Sequence, residues 1–149
     1  MKIVIAGSGR LGSKLAATLA RQGHHMAVID IEPQAFERLP KDLVESGQVV
    51  VVTGDAASAD AMEEAGIRQA VLFIAATDQD ALNGLASLKA KLVYRVKQVV
   101  CTVRDEDLHR LYEAAGITSV NPASLAAERV LGSFLVEDVE IAPARAQGG

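Results

Sequence analysis

The first twelve residues, Met1–Gly12, read MKIVIAGSGRLG. A short run rich in β-branched residues, Lys2–Ala6, leads into three glycines, Gly7, Gly9 and Gly12, in the pattern GxGxxG. Between a strand and a helix, such glycines allow a tight turn, a close approach of the backbone to a pyrophosphate, and close helix–strand packing. The amides that open the helix then face the phosphates. The stretch therefore predicts a strand-turn-helix unit that binds a phosphorylated ligand.

Length and composition indicate one aliphatic domain. Half of the 149 residues are hydrophobic, only 3% are aromatic and there is no Trp, which suits a buried parallel sheet covered by helices. The net charge of −4 argues against nucleic acid as a partner. A single cysteine, Cys101, excludes an internal disulfide and agrees with a reducing compartment. No apolar run approaches the ~20 residues of a membrane span, so we expect a cytoplasmic protein without direct membrane insertion.

Strand-like and helix-like segments alternate along the chain. The predicted strands are Lys2–Ala6, His25–Asp30, Val49–Thr53, Ala70–Ala75, Val99–Val103 and Ser119–Val120. Helical patterns follow each of them, including a short helix at Gln34–Leu39 and a last one from a Ser124 cap to about Val136. The alternation predicts an α/β, Rossmann-like doubly wound parallel sheet of about six strands in the order 3-2-1-4-5-6. The sequence VVVVT at 49–53 predicts a fully buried, central strand.

Two side chains support a nucleotide as the ligand of the glycine turn. Asp30 ends the second strand 18 residues after Gly12, near the spacing expected for a carboxylate that binds ribose hydroxyls. Because no basic residue replaces it, NAD(H) or an adenosine nucleotide is favoured over NADP. Arg10 stands within the glycine pattern, where its guanidinium can pair with phosphate. The alternatives are a purely structural turn with a solvated Asp30, and an exposed arginine at the start of a helix.

Four blocks resemble consecutive parts of the RCK/KTN domain, the N-terminal Rossmann domain of TrkA-type potassium-transport regulators. They read KIVIAGSGRLGSKLA, VIDIEPQAFERL, VVTGDAASADAMEEAGI and AATDQDALNGLASLKAK. The resemblance covers roughly residues 1–136. It implies a cytoplasmic domain that binds NAD(H) or ATP/ADP and gates a potassium transporter or channel at the inner face of the membrane. Residues 137–149 are then expected to be a linker or flexible tail.

The resemblance also implies roles for individual residues. Gly7, Gly9, Arg10 and Gly12 would hold phosphates, with Ser8 and Leu11 between them. Asp30 would bind ribose, with Ile31 beside it, and Asp55 and Ala56 would line the adenine edge. Thr77 would close the site from the end of the fourth strand, with Asn83 nearby. In this chain Thr102 stands where many relatives have a basic residue, and Arg104 follows two positions later, so a phosphate contact from the fifth strand is left open.

The sequence offers no evident catalytic machinery. We find no nucleophile–base pair, no metal motif, and only residues 137–149 after the last predicted helix to place a substrate against a cofactor. We therefore expect no enzyme. The alternative from another class is the nucleotide-binding domain of an NAD-dependent dehydrogenase without its substrate domain.

The last predicted helix suggests self-assembly. It carries Leu125, Val130, Leu131, Phe134 and Leu135, more apolar surface than one sheet edge needs. Its position after Asn121–Pro122 resembles the crossover helix by which RCK/KTN domains pair. We expect a homodimer, with rings of dimers on the membrane partner; the alternative is a helix folded back on its own sheet.

Overall fold

The computed structural model describes residues 1–134, which form one six-stranded parallel sheet flanked by helices. The strands are β1 (Lys2–Ala6), β2 (His25–Asp30), β3 (Val49–Thr53), β4 (Leu72–Ala75), β5 (Gln98–Thr102) and β6 (Thr118–Val120). Their order across the sheet is β3-β2-β1-β4-β5-β6. This is the predicted doubly wound order, with β1 and β4 at the point where the direction of winding reverses.

Six α-helices connect or follow the strands. They are α1 (Arg10–Arg21), α2 (Lys41–Glu45), α3 (Ala59–Glu64), α4 (Asp80–Leu88), α5 (Glu106–Ala114) and α6 (Pro122–Leu131). Two short 3₁₀ segments lie at Pro33–Arg38 and Ile67–Gln69, and α4 continues as a π-helical turn over Lys89–Val93. The predicted short helix at Gln34–Leu39 is thus the first 3₁₀ segment, and α2 was not predicted.

The core lies on both faces of the sheet, as expected of parallel strands. Ile3 and Ile5 of β1 pack on the face covered by α1 and α2. Val4 of β1 and Phe73 of β4 pack on the other face, against α3, α4 and α5. Successive residues of β1 therefore point to opposite layers, and both layers are buried.

Two sequence predictions about local structure are wrong. The VVVVT strand, β3, is an edge strand rather than a central, fully buried one, and the Val50 side chain is 44% exposed. A run of valines fits one covered face as well as two, so composition alone misplaced it. Helix α6 is capped by Asn121, whose side-chain oxygen accepts from the amides of Ala123 and Ser124. Ser124 lies inside the helix.

Helix α6 is exposed along its length. None of its residues is buried, and Leu125 and Leu131 expose 54% and 64% of their surface. The alternative of a helix folded back on its own sheet is therefore wrong for the described part of the chain. The predicted end of this helix at Val136, Leu135, and the predicted tail at 137–149 lie outside the described residues.

The turn between β1 and α1 requires glycine at two of its three glycine positions. Gly7 has φ of +101°, and a side chain there would collide with the backbone of Ala76 and Thr77 after β4. A side chain at Gly12 would collide with the carbonyl oxygen of Gly7. Gly9, the residue that precedes α1, has open space where a Cβ would stand. Gly7 and Gly12 are thus needed for packing, and Gly9 is not.

We predict that two alanine substitutions in this turn differ in their effect on the free energy of unfolding. Gly12→Ala should lower the free energy of unfolding by at least about 2 kcal/mol, because its Cβ meets backbone that cannot move aside. Gly9→Ala, the matched control, should cost less than about 1 kcal/mol, the scale of a poorer helix cap. Chemical denaturation measures both values. Equal losses for the two variants would contradict this packing argument.

Candidate functional site

A deep cleft lies at the carboxyl ends of the strands, beside the β1/β4 reversal point. We call it the main cleft; its cavity measures about 810 Å³. Open α/β sheets place their ligands in this position. Among the residues predicted for the site, those that line it are Gly7, Gly9, Asp30, Ile31, Asp55, Ala56 and Thr77. Residues from the ends of four strands, far apart in sequence, are therefore brought to one cavity.

The remaining predicted residues do not line the main cleft. Ser8 is fully buried beneath the turn, where its hydroxyl donates to the Ala35 carbonyl at 3.1 Å. Gly12 is buried against Gly7, as described above. Arg10 and Leu11 face a second, adjoining cavity. Ser8 and Gly12 thus shape the turn from behind.

The Asp30 carboxylate ties the end of β2 to the glycine turn. One of its oxygens accepts from the Ser8 amide at 2.7 Å, and the other accepts from the Glu32 amide at 2.9 Å. Each carboxylate oxygen can accept a second hydrogen bond. The side chain is half-buried and lines the cleft, so it holds the turn in place and keeps acceptor capacity for a ligand.

The turn after β3 forms the next wall of the cleft. Asp55 accepts from the Ala57 amide at 2.9 Å, which closes an Asx turn, and Ala56 is buried below it. From the opposite side, the Lys89 ammonium donates to the Ala57 carbonyl at 2.6 Å. Lys89 is the first residue of the π-helical turn after α4. The turn after β3 is therefore held both by its own Asp55 side chain and by Lys89 from a distant helical turn.

The end of β4 is fixed by one buried amide side chain. Asn83 of α4 is 1% exposed, and its oxygen accepts from the Thr77 amide and hydroxyl at 2.9 and 2.6 Å. Its nitrogen donates to the Thr77 carbonyl and to both oxygens of Thr102. The Thr102 hydroxyl in turn donates to the Ala75 carbonyl at 3.0 Å. Thr102 thus links β5 to β4.

A second cavity of about 340 Å³ adjoins the main cleft; we call it the side cavity. Both cavities are lined by Gly9, Ala76, Thr77 and Asp78. Arg10 and Leu11 of α1, Asp80, Thr102, Val103, Arg104, and Pro122 and Ala123 of α6 complete the side cavity. The glycine turn therefore separates two joined chambers, one on each side of the reversal point.

Arg104 is held in the wall of the side cavity. Its guanidinium contacts the Asp80 carboxylate at 3.4 Å and donates to the Asp78 carbonyl at 2.9 Å. Its backbone amide also donates to Asp80, at 3.0 Å. Arg104 therefore pairs with the start of α4.

Sequence reasoning missed several residues of the main cleft. Glu32, Gln34 and Arg38 line it just after the end of β2. All three lie in a quoted block next to predicted residues, so proximity in sequence was the available signal. The contact of Lys89 with Ala57 had no such signal, because the two residues are 32 positions apart.

His109 is hydrogen-bonded within the protein, and Cys101 is buried in its core. His109 contacts the Ser119 hydroxyl through its Nδ1 atom at 2.7 Å, at the edge of a third cavity of about 210 Å³. Cys101 is fully buried, and this burial raises the pKa of its thiol, so the thiol stays protonated and unreactive. Within residues 1–134, no three His, Cys, Asp or Glu side chains are grouped to hold a metal ion.

Comparison with known proteins identifies the family. The model of the TrkA-N domain matches residues 3–122. The Trk system potassium uptake protein TrkA of Streptomyces coelicolor is 36% identical over 140 residues, which are 94% of this chain and 61% of that protein. The chain thus spans about three fifths of the length of this relative.

Two solved structures extend the comparison to bound ligands. The structure titled GsuK bound to ADP is 29% identical, with a TM-score of 0.72 over 93% of this chain and 34% of that one. The AMP-bound Kef C-terminal domain of Shewanella denitrificans is 26% identical, with a TM-score of 0.64 over 89% of this chain and 82% of that one. No helix in the described part of the chain has the length and apolarity to cross a membrane. From the match over residues 3–122 and the shared fold, the chain belongs to the TrkA-N domain family.

Proposed function

We propose that this chain is a nucleotide-sensing regulatory domain of a potassium-transport system. The observation that carries the proposal is the main cleft, in which the glycine turn, the Asp30 carboxylate and the Asp55 turn meet at the reversal point of the sheet. The family and the potassium-uptake relative support the regulatory role. The ADP-bound and AMP-bound neighbours support an adenine nucleotide as the ligand.

Each wall of the main cleft matches one part of such a ligand. Asp30 has free acceptor capacity for ribose hydroxyls, and Ile31, 65% exposed beside it, offers an apolar face to the base. Asp55 and Ala56 line the adenine edge. Gly7, Gly9 and the first amides of α1 take the phosphates, with Arg10 at their far end. NAD(H), ATP and ADP all contain this adenosine diphosphate core.

In this proposal the domain regulates a membrane transporter or channel from the cytoplasmic side. A ligand changes the state of its receptor only through different affinities for two conformations. NAD(H), ATP and ADP share adenosine and differ beyond it, so the distinguishing contacts lie near Arg10. The family and the potassium-uptake relative support a regulatory role.

Titration of the purified protein tests the ligand. Calorimetry and thermal shift with NAD⁺, NADH, NADP⁺, ATP, ADP and AMP should give saturable binding for at least one nucleotide and weaker binding for NADP⁺. If none of the six binds the folded protein, the proposal fails. Potassium uptake in cells that carry wild-type or Asp30→Ala protein then tests the regulatory role.

We predict that Asp30→Ala weakens binding of the preferred nucleotide about 5- to 100-fold, the range for loss of a charged hydrogen-bond partner. The carboxylate also holds the Ser8 and Glu32 amides, so the variant should melt at a lower temperature and be titrated well below it. Asp42→Ala is the control, because Asp42 is an exposed carboxylate paired with Arg21 on the surface. Wild-type affinity in folded Asp30→Ala protein would place the ribose elsewhere.

We propose that α6 mediates pairing with a second copy of the chain. The helix and the residues after it expose Leu125, Val130, Leu131 and Phe134 together. Val130 and Leu131 are adjacent residues at the end of the helix, and Phe134 follows three residues later, so these exposed apolar side chains lie close together in sequence. A contiguous exposed apolar surface is a liability on a monomer. A homodimer, and a ring of dimers on the membrane partner, would cover it.

We predict that the wild-type protein sediments as a dimer at tens of micromolar and that Leu131→Glu combined with Phe134→Glu sediments as a monomer. The charges would have to be buried without partners in the dimer, which is costly. Val50→Glu is the matched control, an exposed apolar residue on β3 at the opposite edge of the sheet. A wild-type monomer, or a double variant that still dimerises, would overturn the proposed interface.

A further inference from the structure

The amino-terminal end of the sheet, opposite to the main cleft, carries exposed apolar side chains. Leu92 and Val93, adjacent in the π-helical turn that leads to β5, expose 63% and 67% of their surface. Met1, before β1, and Val71, before β4, are exposed as well. The Lys2 carbonyl accepts from the Val71 amide at 3.0 Å, and the Val71 carbonyl accepts from the first residue of β5 at 3.2 Å. The starts of these three strands are therefore neighbours.

Basic side chains stand at the same end of the sheet, at or just before the starts of β1, β4 and β5. They are Lys2, Arg68, Lys91, Arg95 and Lys97. The Lys91 ammonium donates to the Lys97 carbonyl at 3.2 Å, so the two ends of this loop are joined. The Arg68 guanidinium lies 5.2 Å from the centre of the Tyr94 ring. We call these five cations, together with Met1, Val71, Leu92 and Val93, the basic face.

The basic face keeps an excess of positive charge although the chain as a whole has a net charge of −4. Glu63 of α3 is engaged by the Arg68 guanidinium at 2.9 Å and by the Tyr94 hydroxyl at 3.3 Å. Glu64 beside it is exposed and opposes only part of the remaining charge. Most carboxylates instead follow the carboxyl ends of the strands: Asp30, Glu32, Asp55, Asp78, Asp80, Asp105, Glu106 and Asp107. The two ends of the sheet therefore differ in charge.

Arg95 has a backbone conformation that glycine normally adopts. Its φ of +56° is the one positive value at a residue other than glycine within residues 1–134. The residue ends the π-helical turn, where the Val96 amide donates back to the Ala90 carbonyl at 2.9 Å. Glycine is the usual residue at such a helix end, because a side chain there meets steric hindrance. The Arg95 side chain is exposed and makes no ion pair in this part of the chain, so nothing described within the domain offsets that cost.

We propose that the basic face docks on an anionic phospholipid surface. Clustered Lys and Arg side chains are attracted to anionic lipids, and aliphatic side chains beside them enter the boundary between headgroups and acyl chains. A nucleic acid would use the cations but leave Leu92 and Val93 in water. With this face on the membrane, the main cleft at the opposite end stays open to solutes. The proposal goes beyond the proposed nucleotide-binding function and does not depend on it.

Co-sedimentation of the purified full chain with lipid vesicles tests the proposal. One set of vesicles contains phosphatidylcholine and phosphatidylglycerol in equal amounts, and the other contains phosphatidylcholine alone. We expect binding to the anionic vesicles only, and loss of that binding when salt is raised, because salt screens exposed charges. Absence of binding to anionic vesicles at low salt, or equal binding to both sets, would overturn the proposal.

Charge variants locate the contact. Arg95→Gly removes one cation and relieves the left-handed backbone, so it should keep or raise the melting temperature while weakening vesicle binding about three- to fivefold. Arg95→Glu combined with Lys97→Glu should abolish binding. Lys14→Glu combined with Arg110→Glu is the matched control, because it makes the same change in net charge at exposed cations of α1 and α5. This control should retain most of the wild-type binding.

A polar variant separates lipid from other partners. Leu92→Ser combined with Val93→Ser should weaken vesicle binding at least about fivefold and leave the sedimentation mass in buffer unchanged. A lower mass than wild type would mean that a second copy covers these side chains, and tighter binding to polyuridylate than to vesicles would assign the face to nucleic acid. Either result would overturn the proposal, as would equal losses for the two charge-reversed pairs. Circular dichroism establishes folding; should the pair at Arg95 and Lys97 not fold, wild-type vesicle binding by Arg95→Gly would still contradict it.

Discussion

The close contact between Gly12 and the Gly7 carbonyl is the constraint on which the site depends. It lets α1 pack closely against the end of β1, and the first amides of α1 have no partner within the helix. Any side chain at Gly12 would push the helix off the strand, and any side chain at Gly7 would strike the backbone after β4. The turn therefore fixes β1, α1 and β4 relative to one another, and the other walls of the cleft are built around it.

Polar side chains then fix those walls before any ligand arrives. Asp30 holds the glycine turn and the start of the 3₁₀ segment, and Asn83 holds Thr77 and Thr102 together. Lys89 reaches across to the Ala57 carbonyl behind the Asp55 turn. Each of these groups uses its hydrogen bonds to join loops that come from different strands. Such pre-organisation reduces the ordering cost of binding, because the loops need not be fixed by the ligand.

Helix α6 connects the side cavity to an exposed apolar surface. Pro122 and Ala123 in its first turn line the side cavity, while its later residues expose their apolar side chains. A group bound in the side cavity would therefore touch the same short helix that we propose as the dimer contact. Coupling between ligand and assembly needs two states that both sites bias. A helix anchored at one end beside the ligand and free along its length is a suitable element for that role.

The sequence by itself determined the strand order, the glycine turn and the position of Asp30, because each depends on local patterns: alternation of segments, glycine spacing and the residue that ends a strand. It misjudged β3 as fully buried, since a valine run does not say how many faces of a strand are covered. It misjudged Ser124 as the helix cap, since Asn121, another polar residue near the helix start, takes that role. It also missed Arg38 and Lys89. Only the tertiary structure decided that Arg104 pairs with Asp80, that Thr102 serves the sheet, and that two chambers meet at the turn. Those outcomes depend on contacts between residues more than twenty positions apart, and no local periodicity records them.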